Sequence, residues 1–278
     1  MFEEFGSLGS AGIENSPAPA AAIFRSLLVE QDEVEQYFAG STIGGSDPAC
    51  VAWRTHCFCE GLRYAAYFQD HFGSVTNTNV LDLACGWGGH AIAFAAHGAA
   101  VTALDMSDYD FLRLERFSDE FGLNLQTQTA DCQCLPFADG TFDIVIALHV
   151  IEHIEQPQLL AREVSRVLRP GGVCFLATPA RLLSIIGVEP HYGVRGLALL
   201  PFPVQGIVAR KLLGINYPFA ITAQYLSANS VIAPFRQAGL RGQSIVGGRL
   251  EQCVLRSPLL DHLALNFLWR LIVLNKPA

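Results

Sequence analysis

The sequence predicts an α/β protein built on a mostly parallel seven-stranded sheet with an antiparallel last strand, and three observations carry that prediction. Between Asn79 and Thr178, short runs rich in Val, Ile and Leu alternate with stretches whose apolar residues recur at helical spacing. The first of these runs, NVLDL, leads straight into a glycine-rich turn, ACGWGGHA, at which a helix begins. A chain of 278 residues with 51% hydrophobic content can also bury one substantial core.

Residues 1–20 are rich in Gly, Ser, Pro and Ala, a composition that buries little surface and reads as a flexible leader. Residues 21–75 read as N-terminal helices, over Ala21 to Ala39 and Ala49 to Phe72, because Val51, Phe58, Leu62, Ala65, Phe68 and Phe72 fall on one helical face. The core, 79–179, is expected to hold strands at NVLDL, AVTAL, LQTQT, FDIVIA and GVCFLA. Helices are expected to begin near His90, Asp108 and Pro157, the first and third closed by Gly98 and Gly171. The segment 181–225 mixes Pro, Gly and bulky apolar groups and reads as a lid insert, since a long irregular connection in a compact domain is usually functional. Residues 226–278 close one continuous domain with a helix over SANSVIAPFRQAGL, capped by Ser227 and distorted at Pro234, and two strands.

A formal net charge of −8 leaves no global positive field to hold a polyanion, so nucleic acid is not an expected partner. The acidic start, MFEEFGSLGS, lacks the basic and apolar regions of a secretory signal, and cytoplasm is the expected compartment. The apolar run Leu259 to Leu274 contains Asp261, His262 and Arg270 and is too short to span a bilayer, so no integral membrane segment is expected. The whole chain's mean hydropathy of +0.31 still leaves room for an apolar pocket or a membrane-facing surface, and a homo-oligomer stays open. Eight cysteines read as small reduced core residues; Cys57/Cys59 and Cys132/Cys134 are spaced too tightly for the usual zinc pair, and no metal site is expected.

Glycines 86, 88 and 89 fill the turn after the first strand, where the absence of Cβ lets backbone approach a ligand and the helix start presents oriented N–H groups. Gly86-x-Gly88-x-x-Ala91 with Asp105 further on also fits the dinucleotide fingerprint and keeps an NAD-dependent oxidoreductase as an alternative. Asp82, four residues before the first of those glycines, argues against it.

VLDLACGWGG, VTALDMS, TADCQCLPFADGTFDIVIALHVIEHI and VLRPGGVCFLATP together resemble, in order, the motifs of the small-molecule class I S-adenosylmethionine-dependent methyltransferases, the type 11-like family, over Val80 to Pro179. The resemblance implies a Rossmann-like fold and S-adenosylmethionine as cofactor. It implies that Ala84 to Gly88, Gly86 included, cradles the methionine part with Asp82 holding its amino end, and Ala84 stands where the family commonly has glycine. Asp105 would accept the ribose hydroxyls, Met106 would pack on adenine, Asp131 with the Cys132 amide would read the adenine amino edge, and Leu148 and His149 would close the other side.

A sulfonium is an activated methyl donor, so alignment and exclusion of water suffice and no dedicated acid is required. An oxygen nucleophile gains from a base, for which His149, His153 and His191 are candidates. His149-x-x-Glu152-His153 would put three ligand-type residues on one helical face, and resembles the metal-binding variant of ubiquinone-biosynthesis O-methyltransferases, which carry Glu at the His149 position. The expected function is methyl transfer, O-methylation favoured, to a small hydrophobic acceptor met by Leu197, Leu199, Leu200, Phe202 and Val204 of the lid. A related module that binds without turnover is the other alternative.

Overall fold

The computed structural model describes residues 17, 19–27, 48–108, 110–178, 194–215, 228–246 and 270–278. Helix α1 covers 19–27. Helix α2 (Pro48–Phe72) precedes strand β1 (Asn79–Leu83), helix α3 (Gly89–Ala96), β2 (Ala100–Asp105), α4 (Phe111–Phe121), β3 (Leu125–Thr129), β4 (Phe142–Leu148), α5 (Pro157–Val167) and β5 (Leu168–Thr178). Helices α6 (Phe202–Ile207) and α7 (Ala228–Gln237) and strands β6 (Arg241–Val246) and β7 (Arg270–Asn275) complete the described order.

Seven strands hydrogen-bond in the order β3-β2-β1-β4-β5-β7-β6. β1 pairs parallel with β2 and with β4, and β2 parallel with β3, while β7 runs antiparallel to both β5 and β6. The mostly parallel sheet with an antiparallel last strand is therefore as the sequence predicts. β4 is buried along its whole length, and β1 from its second residue, as strands covered on both faces must be.

The chain divides into two compact units. The first comprises Met1–Pro136 with Phe142–Ile146, and the second Phe137–Thr141 with Ala147–Ala278. In the first unit α2 and α3 pack with very little clearance: a Cβ on Gly61 would lie 2.6 Å from Ala93 Cβ, and one on Gly89 2.7 Å from the Phe58 nitrogen. The Asn79 N–H at the start of β1 donates to Asp143 Oδ2 of β4 at 2.6 Å, tying the entrance of one central strand to its neighbour.

In the second unit α5 starts at Pro157, a residue whose fixed φ suits a first helical turn. It ends at Val167, and Leu168 is already extended. Gly171, expected to close this helix, instead lies inside β5 at φ 77 with its N–H donated to the Lys276 carbonyl at 2.9 Å. The helix end is satisfied from elsewhere: Lys276 Nζ donates to the carbonyls of Ser165 and Leu168, both at 2.8 Å. Gly98, by contrast, does follow α3 at φ 83 and donates its N–H to Ala95. Pro234 sits inside α7 without ending it. Ser227, residues 28–39 of the first expected helix and most of the leader lie outside the described residues. Among the described residues no helix is long and apolar enough to cross a membrane.

Candidate functional site

β1 delivers Asp82 into the interior, where it is 2% exposed. Burial pushes its carboxyl up to about 6, against the downward pull of His90 and of the Ala91 N–H, with Asp105 adding a smaller upward push. Asp82 Oδ2 has no hydrogen-bond partner. Leaving such an atom unsatisfied costs roughly 1–3 kcal/mol, a cost that a donor on a ligand would remove.

The turn that follows reverses hand repeatedly: φ is 53 at Ala84, 50 at Gly86 and 74 at Gly88. Ala84 adopts this conformation despite its Cβ, at a cost of about 1–2 kcal/mol. The glycines serve different ends. A Cβ on Gly86 would meet nothing within 4 Å, so that backbone faces open space. A Cβ on Gly88 would run into Leu114 of α4, and one on Gly89 into the Arg54 carbonyl of α2. Gly86 alone fits the expectation that small residues here admit a ligand; Gly88 and Gly89 are required by packing.

Asp105 ends β2 half-buried and ties two turns together. Its Oδ2 accepts the Gly86 N–H at 3.0 Å and its Oδ1 accepts the Ser107 N–H at 3.1 Å. It does not cap α4, whose N-cap is Asp110. Next to it Met106 is 72% exposed, an unusual position for a large apolar side chain. After β3, Asp131 Oδ1 accepts the Gln133 N–H at 2.8 Å, and the Cys132 thiol is pushed up to about 12, chiefly by burial, with Asp131 and then Asp105 also raising it. Asp105, Asp131 and Cys132 are thus close enough to feel one another.

Two polar groups of α2 support this site. Arg54, fully buried, forms an ion pair with Asp110 and donates from Nε to the Trp87 carbonyl at 2.8 Å, fastening the glycine turn to α2 and to the start of α4. Nearly two turns further along, the half-buried Glu60 accepts from the Tyr64 hydroxyl at 2.6 Å and pairs with His90 Nε2 at 3.1 Å. Burial raises the Tyr64 phenol well above its ordinary value, with Glu60 adding to the rise.

In the second unit Leu148 is buried at the end of β4, and His149 follows at φ 56 with its N–H donated to the Ala177 carbonyl at 2.9 Å. Glu152 and His153 lie in a short 3₁₀ turn, Ile151–His153. His149 precedes that turn in a left-handed conformation, so the expected single helical face of His149, Glu152 and His153 does not form. Among the described residues no three His, Cys, Asp or Glu side chains gather as a metal site. His191 lies outside the described residues.

Residues 81–176 match a family model described as a methyltransferase domain. A ubiquinone biosynthesis O-methyltransferase of Caulobacter vibrioides is 34% identical over 155 residues, which are 51% of this chain and 62% of that protein. One of Coxiella burnetii is 33% identical over 116 residues, 40% of this chain and 50% of that protein. The chain therefore spans about half the length of the curated relatives it matches. A solved S-adenosylmethionine-dependent methyltransferase from Methanosarcina mazei shares the fold, with a TM-score of 0.53 at 16% identity over 76% of this chain and 97% of that one.

Over residues 81–176 the chain is similar to the class I methyltransferases. Its first unit holds Asp82, Ala84, Gly86, Gly88, Asp105, Met106, Asp131 and Cys132, and its second Leu148, His149 and His153. Sequence reasoning missed Arg54 and the Glu60–His90 pair, whose α2 members precede the matched residues. The signal for Arg54 was present: it stands four residues before Phe58, on the same helical stripe as Val51, Leu62 and Ala65, where an arginine must find a buried partner. Among the described cysteines, Cys57, Cys85, Cys132 and Cys174 are buried, as expected of core residues, with their thiols raised by burial, whereas Cys59 is half-buried and Cys134 is exposed.

Proposed function

We propose that this chain transfers the methyl group of S-adenosylmethionine to an oxygen atom of a small, hydrophobic metabolite. The observation that carries the cofactor half is Asp82 Oδ2, a buried carboxylate oxygen without a partner at the head of a turn whose Gly86 faces open space. A buried anionic atom of this kind suits the ammonium of the cofactor's methionine part. The backbone from Ala84 to Gly88 would cradle that part. Asp105 spends one hydrogen bond per oxygen on the Gly86 and Ser107 amides, which leaves lone pairs for two ribose hydroxyls. Exposed Met106 would cover adenine, and Asp131 with the Cys132 N–H would meet its amino edge.

When bound, S-adenosylmethionine supplies a sulfonium-activated methyl group, so the protein's part is alignment and exclusion of water. The oxygen acceptor is favoured by the similarity to the O-methyltransferases of Caulobacter vibrioides and Coxiella burnetii. For the base that an oxygen acceptor calls for, His149, His153 and His191 are the candidates by residue type.

Isothermal titration should give micromolar binding of S-adenosylhomocysteine, on the order of −8 kcal/mol. Asp105→Ala should weaken that by about 1.5–3 kcal/mol, the range for hydrogen bonds to a charged group. Binding of NAD with none of S-adenosylhomocysteine would overturn the proposal.

A further inference from the structure

Residues 197–213 of the second unit turn the usual amphipathic arrangement inside out. The chain forms a 3₁₀ turn at Leu197–Leu199, helix α6, and a widened helical turn at Val208–Leu212. Its inward side carries Leu197, 3% exposed, Gln205, 1% exposed, and Ala209; Gln205 donates from Nε2 to the Leu200 carbonyl at 2.8 Å. Its outward side carries Leu199, Leu200, Val204, Ile207, Leu212 and Leu213, with Leu212 at 75% and Leu199 at 69% exposure. A helix that buries a glutamine and presents leucines is ill-matched to water, since isolated exposed apolar residues are ordinary but a clustered set is not.

The charges beside these leucines say what would cover them. Arg195, Arg210 and Lys211 are exposed within or next to the segment. From Pro190 to Leu250 there are six basic residues and no Asp or Glu, in a chain whose 18 basic and 26 acidic residues give −8 overall. The remainder of the chain accordingly stands at −14. Apolar groups flanked by arginine and lysine, in an acid-free stretch of an acidic protein, match an anionic lipid surface: side chains enter the acyl boundary while cations stay among the headgroups. A second copy offers acidic surface too, but would meet this face with a different one, a contact that propagates rather than closes.

We propose that the face formed by residues 197–213 docks this protein peripherally on anionic membranes. The inference does not rest on the methyl-transfer reading.

The test is co-sedimentation of the full chain with vesicles of pure phosphatidylcholine and of a phosphatidylcholine–phosphatidylglycerol mixture. The expected result is pelleting with the anionic vesicles at least roughly tenfold stronger than with the neutral ones, and weakened by high salt. Arg210→Glu/Lys211→Glu should lower anionic binding by roughly tenfold or more, at about fivefold per lost cation before the added repulsion. Leu199→Asp/Leu212→Asp should abolish it; both positions already face solvent, so circular dichroism and melting temperature should stay unchanged. Absence of vesicle binding, equal binding to both vesicle types, or binding indifferent to the leucine variant would overturn the proposal. So would a wild-type chain that self-associates through these leucines and ignores vesicles. Cofactor titration on the same samples reports the cofactor site separately.

Discussion

Replacing Arg54 with methionine tests how the glycine turn after β1 is held. The guanidinium is fully buried and faces Asp110, itself 8% exposed, so Arg54→Met leaves a carboxylate inside the protein without its main counter-charge. Breaking a buried pair in this way costs about 3–5 kcal/mol. Arg113, 3.8 Å from Asp110 Oδ1, compensates in part and favours the lower half of that range. For a chain of this size the expected fall in melting temperature is roughly 6–15 °C. Arg54→Met/Asp110→Asn should recover much of the loss, because exchanging both members of a buried pair is often close to neutral. It should not recover cofactor affinity, since the Trp87 carbonyl between Gly86 and Gly88 still lacks its 2.8 Å donor. Urea titration of the four proteins gives the coupling energy, and calorimetric titration of S-adenosylhomocysteine gives the effect on the turn. If Arg54→Met lost less than about 1 kcal/mol, or if the double variant were as unstable as the sum of the singles, the buried pair would not be what fastens the turn.

Asp82 and the glycines yield two further predictions. The Asp82 carboxyl is raised from 3.8 to about 6, so the native state holds that proton more tightly than the unfolded chain. Its contribution to stability is full below pH 3.8 and is lost as pH rises through about 6. Asp82→Asn should flatten that slope and stabilise the cofactor-free protein at neutral pH by up to about 3 kcal/mol, while weakening S-adenosylhomocysteine. Cofactor affinity of the unsubstituted protein should rise as Asp82 ionises through about pH 6, and melting curves and titrations from pH 4 to 8 measure both; a slope unchanged in Asp82→Asn would assign the titration elsewhere. Gly88→Ala should cost roughly 1–3 kcal/mol of stability, because its Cβ runs into Leu114 in a backbone already at φ 74. Gly86→Ala should cost only about 1 kcal/mol yet lose cofactor binding, since its Cβ enters open space, and equal losses of stability at the two positions would refute the distinction.

What the sequence made legible follows from the range over which each structural cause acts. β1, β2 and β4 fall where the apolar runs lie, because burial on both faces of a parallel strand is written into consecutive residues. The places of Asp82 in β1 and of Asp105 at the end of β2 were legible for a related reason: a strand end in an open α/β sheet is a position that local pattern alone reveals. Gly171 went astray because its partner is Lys276, whose carbonyl it meets across the β5–β7 pairing and whose ammonium takes over the end of α5. No local signal distinguishes a glycine that ends a helix from one that bends the start of a strand.

The same reasoning separates the glycines of the turn after β1 from one another. All three are equivalent in sequence, since absence of Cβ permits either a positive φ or a close approach without saying to what. The difference lies in residues far along the chain: Leu114 beside Gly88, the α2 backbone beside Gly89, and nothing beside Gly86. Arg54 reaches Trp87 across 33 positions and Asp110 across 56. α2 is therefore a structural wall of the glycine turn, and Gly89 is small to let that wall come close enough for Arg54 to hold it. A substitution on the buried face of α2 should consequently change cofactor affinity without touching a residue of the family motif, whereas a substitution at Gly86 should change affinity with α2 undisturbed.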